Sequence, residues 1–419
     1  SALEAVKKIN HGDLSAELLM RSCLDRVFER DNEVKAWAHI DPEKAIERAI
    51  NADERGNKGP LAGIPIAVKD IIDTADMPTC HGSTIYEFNQ PTVDAAVVNK
   101  TRSRGGVIMG KTVTTEFAWR NPGATCNPHN LNHTPGGSSS GSAAGIADYQ
   151  FPLAFGTQTG GSVIRPAAYC GVVGFKPTFG TYDRKGVKEL SSYLDTVGIM
   201  GRSAKDVAFF DSVLRGTQTS DITTMANQSP RIGIMIPFYE DAEKYAVVAL
   251  EAAGKIAEKA GATVIEVPSS KNFEILGDIH NVIMTGDAGR ALAWEYDHHS
   301  EQLTQFYKEN IAAGRATSED SLKKAKAAAD RARREQAAKL FARVDVLITL
   351  SASGEAPKGN AFTGDPLFNK VWTMLGWPCV TIPFETGPLG LPLGVQIIAP
   401  MNKDSLALAA SAWLEQTLS

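Results

Sequence analysis

The segment from Trp119 to Gly201 constrains the fold of this chain more than any other part of its sequence. It is dense in Gly, Ser, Thr, Pro and Asn, and Ser142–Ala147 is its one run typical of a helix. It also contains apolar runs of the kind found in protein cores, FPLAF from Phe151 and CGVVGF from Cys170. Such runs are not typical of a flexible linker, and long loops within compact domains tend to be functional. We therefore expect this segment to be built into the fold and to carry function.

Short apolar runs alternate with helical patterns on both sides of that segment. On its N-terminal side we predict helices over Leu14–Arg30, Pro42–Arg55 and Asp94–Arg104, and strands over Ile64–Val68 and Val107–Met109. On its C-terminal side we predict helices over Lys205–Leu214, Ala242–Ala260, Glu319–Val344 and Asp404–Leu418, and strands over Arg231–Ile236, Ala262–Val267, Val344–Leu350, Cys379–Pro383 and Leu393–Ile398. Residues 217–229 are predicted to form a polar connection. This alternation predicts an α/β fold with a largely covered sheet.

Composition and charge exclude several classes of protein. With 419 residues, the chain is long enough to form a core without disulfides or metals. The formal net charge is −5, and we interpret the basic run within Glu319–Val344 as a solvated helix face, so nucleic acid is not an expected partner. No apolar run approaches the ~18 residues of a membrane span, and the N-terminus lacks a signal-peptide pattern. Five scattered cysteines without a CxxC pair indicate a reducing compartment, so we expect a cytoplasmic protein with no membrane partner.

Three familiar motif patterns occur where their chemistry is not expected. The sequence GGVIMGKT, Gly105–Thr112, matches a phosphate-binding loop, but its centre is typical of a buried strand and no helix pattern follows. The sequence GSSSG around Ser139 matches a nucleophile elbow, but no strand pattern precedes it. His129 and His133 have the spacing of a metal-binding pair on a helix, yet the neighbouring Pro and Asn residues favour a loop. We therefore expect neither a nucleotide nor a metal ion at these positions.

Three other segments carry residues that suit a different chemistry. Lys69 ends the apolar run of GIPIAVKD, the run PGGSSSGSAAG at 135–145 supplies glycines and hydroxyls, and Ser162 follows a Gly–Gly pair in GTQTGGSVIRPAAYCG. The first two have an ordinary explanation when taken alone, as a surface lysine or a Gly/Ser linker. A Gly–Gly–Ser turn, however, can present several N–H groups to one point, as an oxyanion hole requires. The three segments in this order, with Ser162 lying 24 residues after Ser138, form a much stronger signal than any one of them.

On these segments the chain resembles the amidase signature family, and the resemblance covers nearly the whole sequence. It extends to NPHN from Asn127, LDTVG from Leu194, GWPCVTIP from Gly376 and GLPLGVQIIA from Gly390. It implies a single large α/β domain over residues 1–419, with a mixed, twisted β-sheet enclosed by helices. Within this domain we expect N-terminal helices in residues 1–60, a catalytic core in 61–215, a helical and variable region in 216–345, and the C-terminal part of the sheet in 346–419.

The resemblance also implies a catalytic triad made of Lys69, of Ser138 held in a cis peptide, and of Ser162 as the nucleophile. Within the family, the chain most resembles small bacterial members of the malonamidase type, which share the order SVIRP. Most of the family places that arginine two residues after the nucleophile, whereas Arg165 lies three residues after Ser162. Many members also have Asp where this chain has Gln158. Both departures leave the triad intact, but because of them the substrate preference of those members is not carried over to this chain.

A serine hydroxyl needs a base before it can attack an amide, and in the absence of a suitable histidine we expect Lys69 to serve through Ser138. Lys69 must then be neutral, and we expect burial and the lack of an adjacent carboxylate to lower its pKa from the usual ~10.4. The oxyanion is expected to meet the N–H groups of Thr159, Gly160, Gly161 and Ser162. The predicted substrate-binding residues are Arg165, Ser138, Gly137 and Thr157. For Arg165 the alternative is a structural bond to a neighbouring carboxylate.

These expectations describe an amidohydrolase that cleaves a small polar amide through an acyl-enzyme and releases ammonia or an amine. We expect it to act on non-peptide C–N bonds without a cofactor or metal, as a homodimer. An ammonia-supplying amidotransferase subunit is the main alternative, and it would need a partner chain. A hydrolase of urea-like or carbamate-like substrates and a non-catalytic binding protein remain further alternatives, although the retention of Lys69, Ser138 and Ser162 disfavours the last.

Overall fold

The computed structural model describes residues 1–56, 59–217, 229–269 and 272–418, which form an α/β fold around one large sheet. The helices are α1 Ala2–His11, α2 Ala16–Val34, α3 Pro42–Glu54, α4 Ala96–Ser103, α5 Ser140–Ala147, α6 Ile164–Tyr169, α7 Ala204–Arg215, α8 Lys244–Lys259, α9 Asn272–Ala291, α10 Ala293–His298, α11 Gln305–Ala316, α12 Glu319–Leu340, α13 Leu367–Met374 and α14 Asp404–Leu418. The strands are β1 Trp37–Ile40, β2 Pro65–Lys69, β3 Val107–Thr112, β4 Leu153–Gln158, β5 Val173–Lys176, β6 Thr196–Gly201, β7 Arg231–Ile234, β8 Thr263–Glu266, β9 Val346–Leu350, β10 Cys379–Thr386 and β11 Pro392–Ile398.

The sheet is mixed, with the strand order β1-β3-β2-β4-β6-β5-β10-β11-β9-β7-β8. Strand β2 is parallel to both β3 and β4, and β7 is parallel to both β8 and β9. The other neighbouring pairs are antiparallel. The expectation of a mixed sheet enclosed by helices is therefore confirmed.

Both faces of the sheet are covered, because successive residues of a strand point to opposite sides. In β2, Ile66 and Val68 belong to an apolar cluster with α1, α4, α7, α8 and α14, whereas Ala67 belongs to a cluster with α2, α3 and α5. A third cluster joins α9, α12 and α13 to the sheet. Every residue of β2 is buried, so Lys69 at its end lies inside the protein.

Most predicted elements are present with ends shifted by a few residues, and three expectations need correction. Residues 1–60 are not all helical, because Trp37–Ile40 forms β1 and pairs with β3. The description of 216–345 as a helical and variable region is incomplete, because this region also contributes β7 and β8 to the sheet, where strands were predicted over Arg231–Ile236 and Ala262–Val267. In residues 119–201, where one helix was expected, Ile164–Tyr169 forms a second helix, α6. Pro166 lies in the first turn of α6, so its missing N–H breaks no hydrogen bond of the helix. Most of the predicted connection at 217–229 lies outside the described residues.

The basic run on α12 is a solvated face, as the sequence predicts. Lys323 and Lys324 are about as exposed as their ion-pair partners Glu319 and Asp320, which lie one turn earlier. Such exposed pairs contribute little to stability. No helix in the described part of the chain has both the length and the apolar character needed to cross a bilayer.

Candidate active site

Lys69 and the segment that follows β4 meet at one edge of the sheet. Because β2 and β4 are parallel neighbours, their last residues, Lys69 and Gln158, lie at the same edge. The Lys69 side chain is fully buried, and its Nζ lies 2.7 Å from the Ser138 Oγ and 2.7 Å from the Thr157 Oγ1. Two of the predicted substrate-binding residues, Ser138 and Thr157, therefore contact the lysine amine.

Ser138 lies in the loop that enters α5, and the Gly137–Ser138 peptide bond is cis, as the resemblance implies. The next residue, Ser139, donates its backbone N–H to the Ser162 carbonyl at 3.3 Å, which brings this loop against the predicted nucleophile. The Ser139 hydroxyl is itself buried, 3.3 Å from the backbone oxygen and nitrogen of Thr157. Ser139 is thus held within the fold, whereas a nucleophile elbow would present it to substrate.

Residues Thr159–Ser162, which we call the strap, connect β4 to α6. Two strap carbonyls accept hydrogen bonds from side chains. The Thr159 carbonyl accepts from the His280 Nε2 at 2.9 Å, and the Gly160 carbonyl accepts from the Thr373 hydroxyl at 2.6 Å. The N–H groups of Gly160, Gly161 and Ser162 donate to no group among the described residues. Since N–H and C=O point in opposite directions across a trans peptide, these N–H groups face away from the bonded carbonyls. The strap therefore offers free donors beside Ser162.

Asp195 is a buried carboxylate that holds the strap from the side of β6. Its Oδ1 accepts from the Thr159 hydroxyl at 2.6 Å, and its Oδ2 accepts from the N–H groups of Leu190 and Ser191. Burial raises the pKa of the Asp195 carboxyl to about 6, although these hydrogen bonds oppose the rise. Asp195 thus fixes the first residue of the strap.

Burial lowers the pKa of Lys69 well below its ordinary value, as expected for a base that must be neutral. The negative charge of Asp195, which makes no ion pair with the Lys69 amine among the described residues, raises this pKa and partly opposes burial. The positive charge of Arg165 lowers the pKa further. The serine and threonine hydroxyls that contact the amine carry no net charge to favour the ammonium form.

Arg165 lies in the first turn of α6 with a buried guanidinium. Its Nε donates to the Thr363 carbonyl at 2.8 Å and its Nη2 donates to the Gly137 carbonyl at 2.7 Å. Gly137 was predicted to bind substrate, and in the structure its carbonyl accepts this bond from Arg165. The Nη1 atom is buried and has no hydrogen-bond partner in the described part of the chain. Burial lowers the pKa of Arg165 to about 10, so the group remains charged at neutral pH.

Ser162 and Arg165 line a common cleft of about 40 Å³. Strap residues form one wall, and the other lining residues include Trp119, Arg120 and Met284. Thr157 instead lines a separate small cavity with Asp195. The cleft therefore places Ser162, the strap N–H groups and the Arg165 guanidinium around one small volume.

The motif patterns that the sequence disfavours have structural roles. Lys111 of the phosphate-loop pattern is buried in β3, where its Nζ contacts the Thr79 Oγ1 at 2.6 Å and Asp70 at 3.3 Å. The His129 Nε2 lies 2.9 Å from the Cys170 carbonyl. In the described ranges, no group of three or more His, Cys, Asp or Glu side chains is arranged to hold a metal ion.

A comparison with protein families decides the relationship. The family model described as Amidase matches residues 18–408. The chain belongs to the amidase signature family. It is accordingly an enzyme of the amidohydrolase kind, which acts on carbon–nitrogen bonds.

The amidase signature relatives include both components of larger enzymes and amidases. A glutamyl-tRNA(Gln) amidotransferase subunit of Salinispora arenicola (strain CNS-205) is 31% identical over 477 aligned positions, which cover 100% of this chain and 97% of that protein. A structure described as that of an amidase has a TM-score of 0.89 and 27% identity, with full coverage of both chains. The peptide amidase from Stenotrophomonas maltophilia has a TM-score of 0.84 and 25% identity over 98% of this chain and 95% of that chain.

Several residues that hold the site were not assigned from the sequence. Asp195 lies in the segment LDTVG, which was noted for its resemblance but was given no role. His280 was given no role, and its Nε2 binds the strap carbonyl of Thr159. Thr373 lies on α13, in a run with no motif character. A close-fitting loop such as the strap requires supports, but the sequence does not indicate which residues supply them.

Proposed function

We propose that this chain is an amidohydrolase that cleaves a small polar amide by a Ser–cisSer–Lys mechanism. The observation that carries the proposal is the buried contact of 2.7 Å between the Lys69 Nζ and the Ser138 Oγ, beside a strap with free N–H groups. Ser162 is the nucleophile and Ser138 relays its proton to neutral Lys69. The strap N–H groups of Thr159, Gly160, Gly161 and Ser162 stabilise the oxyanion.

The reaction then runs in two balanced steps. Attack of the Ser162 Oγ on the amide carbon forms the acyl-enzyme, and protonated Lys69 returns its proton through Ser138 to the leaving nitrogen. Water then attacks the acyl carbon and passes a proton through Ser138 to Lys69. The bond from that carbon to the Ser162 Oγ breaks, the proton returns to this oxygen through the same relay, and the acid leaves. The net result is hydrolysis of one amide to an acid and ammonia or an amine, and no cofactor or metal takes part.

We further propose that Arg165 binds a carboxylate or second carbonyl of the substrate. A buried cation without a charged partner is costly, and its Nη1 is unpaired among the described residues. A substrate carboxylate would remove that cost. Arg165 also positions the loop, but it does so through two bonds to backbone carbonyls and not through the neighbouring carboxylate of the structural alternative.

Covalent labelling tests the assignment of the nucleophile. We expect a screen of small amides, ureas and carbamates to find a substrate by ammonia release, and Ser162→Ala to abolish that release without lowering the thermal unfolding midpoint. Mass spectrometry of protein treated with an activated ester is expected to find the acyl group on Ser162. The matched control is Ser139→Ala, which is expected to retain the acyl group. An acyl group on Ser139 would overturn the assignment.

An ammonia-supplying amidotransferase subunit is the second candidate function. The observation that favours it is the 31% identity to the Salinispora arenicola amidotransferase protein along the whole chain. The alignment is longer than this chain, so at least one segment of that relative has no counterpart here. Hydrolysis of small amides by the purified chain alone supports the first candidate, whereas activity that depends on a co-purified partner chain supports the second.

We also propose a cytoplasmic homodimer. All five cysteines, Cys23, Cys80, Cys126, Cys170 and Cys379, are free thiols in the structure, which supports a reducing compartment. Light scattering of the purified chain tests the dimer, and a monomer mass would contradict it.

A further inference from the structure

Gln158 is the buried last residue of β4, directly before the strap. Its side-chain Oε1 accepts from the N–H groups of Val163 at 2.8 Å and of Ile164 at 3.0 Å. These are among the first N–H groups of α6, which have no acceptor within the helix. One end of the Gln158 amide therefore fixes the chain immediately after Ser162.

The other end of the same amide reaches the middle of the strap through one hydroxyl. The Gln158 Nε2 donates to the Thr373 Oγ1 at 3.0 Å, and the Thr373 hydroxyl donates to the Gly160 carbonyl at 2.6 Å. A hydroxyl has a single proton to donate. Because Gln158 supplies its own N–H, the Thr373 proton remains available for Gly160. The nearest competing acceptor, the Asn369 carbonyl one helical turn earlier, is more distant at 3.1 Å.

We propose that Gln158 is a positioning residue for oxyanion stabilisation, acting through Thr373 to orient the Gly160–Gly161 peptide. The inference rests on the proposed function and goes beyond it, because Gln158 touches neither the substrate nor the triad hydroxyls. With the Gly160 carbonyl held by Thr373, the Gly161 N–H on the same peptide points to the opposite side, where the strap faces the cleft. The direction of the hydrogen-bond chain from Gln158 to Thr373 to Gly160 sets that orientation.

A carboxylate at position 158 would reverse the direction of the hydrogen bond between residues 158 and 373. It would still accept the two N–H groups of α6, but it has no proton to donate to Thr373. The Thr373 hydroxyl would then turn to the carboxylate, which is the stronger acceptor, and release the Gly160 carbonyl. The added negative charge would also oppose the developing oxyanion. An amide and a carboxylate of the same shape are therefore not equivalent here.

The test compares Gln158→Glu, Thr373→Val and the double variant with p-nitrophenyl acetate as the acylating probe. Loss of one oxyanion donor typically costs about 10²–10³ in rate. We expect each single variant to lower the acylation rate at least 30-fold with KM changed less than threefold. The double variant is expected to be no more than threefold slower than the slower single variant, because both changes release the same carbonyl. Thr373→Ser, which keeps the hydroxyl, is expected to remain within threefold of the parent protein.

The control is Thr349→Val, which removes a buried hydroxyl that has no partner among the described residues and lies on β9. It is expected to leave the acylation rate unchanged. Single variants within threefold of the parent rate, or losses that multiply in the double variant, would overturn the inference. If Gln158→Glu fails to fold, the contrast between Thr373→Val and Thr373→Ser decides, and equal rates for that pair would overturn it. A parent protein that is not acylated on Ser162 would instead refute the proposed function.

Discussion

Gly161 and Gly160 provide a sharp test of how closely the strap fits, because their surroundings differ. A Cβ added at Gly161 would lie 2.3 Å from the Asn369 Oδ1 and 2.8 Å from the Arg165 Nη1. A Cβ added at Gly160 would come closest to the Pro366 ring, at 3.3 Å. The Asn369 side chain is held by a bond of 3.0 Å from its Nδ2 to the Ser351 carbonyl, so it does not move aside freely.

The magnitude of the effect follows from that overlap. Ordinary carbon contacts begin at about 3.5 Å, so Gly161→Ala must displace the strap or Asn369 by roughly 1 Å. A shift of that size at a reacting group costs about 10²-fold in rate, or about 2.7 kcal/mol of transition-state stabilisation. Overpacking should also lower the free energy of unfolding by about 1–3 kcal/mol. For Gly160→Ala the Pro366 ring has to move by only a few tenths of an ångström, so we expect the rate to fall less than about fivefold.

The assay is steady-state ammonia release from the amide found by screening, with thermal unfolding measured on the same preparations. We expect kcat of Gly161→Ala to fall about 100-fold and Gly160→Ala to remain close to the parent protein. A Gly161→Ala variant that keeps a third of the parent kcat would refute the reasoning. Equal losses at the two glycines would also refute it, because the structure places the overlap at one of them.

Three further predictions concern the charged groups of the site. Activity should fall as the pH drops through the lowered pKa of Lys69, since the protonated amine cannot accept a proton. Activity should survive a chelator, and a kcat/KM–pH profile with and without EDTA measures both outcomes. Asp195→Asn removes the charge that raises the Lys69 pKa, so the acidic limb of that profile should move to lower pH, and an unmoved limb would contradict the argument. Arg165→Ala should raise KM at least tenfold for an amide that carries a carboxylate and much less for a plain aliphatic amide, whereas equal changes with a lowered unfolding midpoint would support the structural role.

The sheet and its outer helices could be predicted well because they depend on local patterns. The run IPIAV is apolar and β-branched, and it forms β2 with both faces buried. Pro42 begins α3 as predicted, because proline suits the first turn of a helix. In contrast, β1 was missed, since Trp37–Ile40 is short and is a strand because it pairs with β3. Tertiary pairing of this kind leaves no periodic signal in a four-residue run.

The candidate site shows the same limit. The Gly–Gly–Ser turn and the order of the three segments point to Ser162, and geometry brings Lys69 and Ser138 together as the resemblance implies. The supports of the strap were not predictable, because His280 and Thr373 are 121 and 213 residues away from the carbonyls that they bind. Thr157 was expected to bind substrate, yet its hydroxyl contacts Lys69. A single sequence gives no measure of such long-range partnerships.

The long separation between the strap and its supports also has a consequence for synthesis on the ribosome. By the time Ser162 has emerged, the chain already contains every group of the proposed triad, but Thr373 is translated 213 residues after Gly160. At about 5–20 residues per second, that interval lasts on the order of 10–40 s. During it, the Gly160 carbonyl has no hydroxyl to hold it and Arg165 has no Thr363 carbonyl to bind. The nascent polypeptide therefore lacks these two supports until the last quarter of this chain has been made.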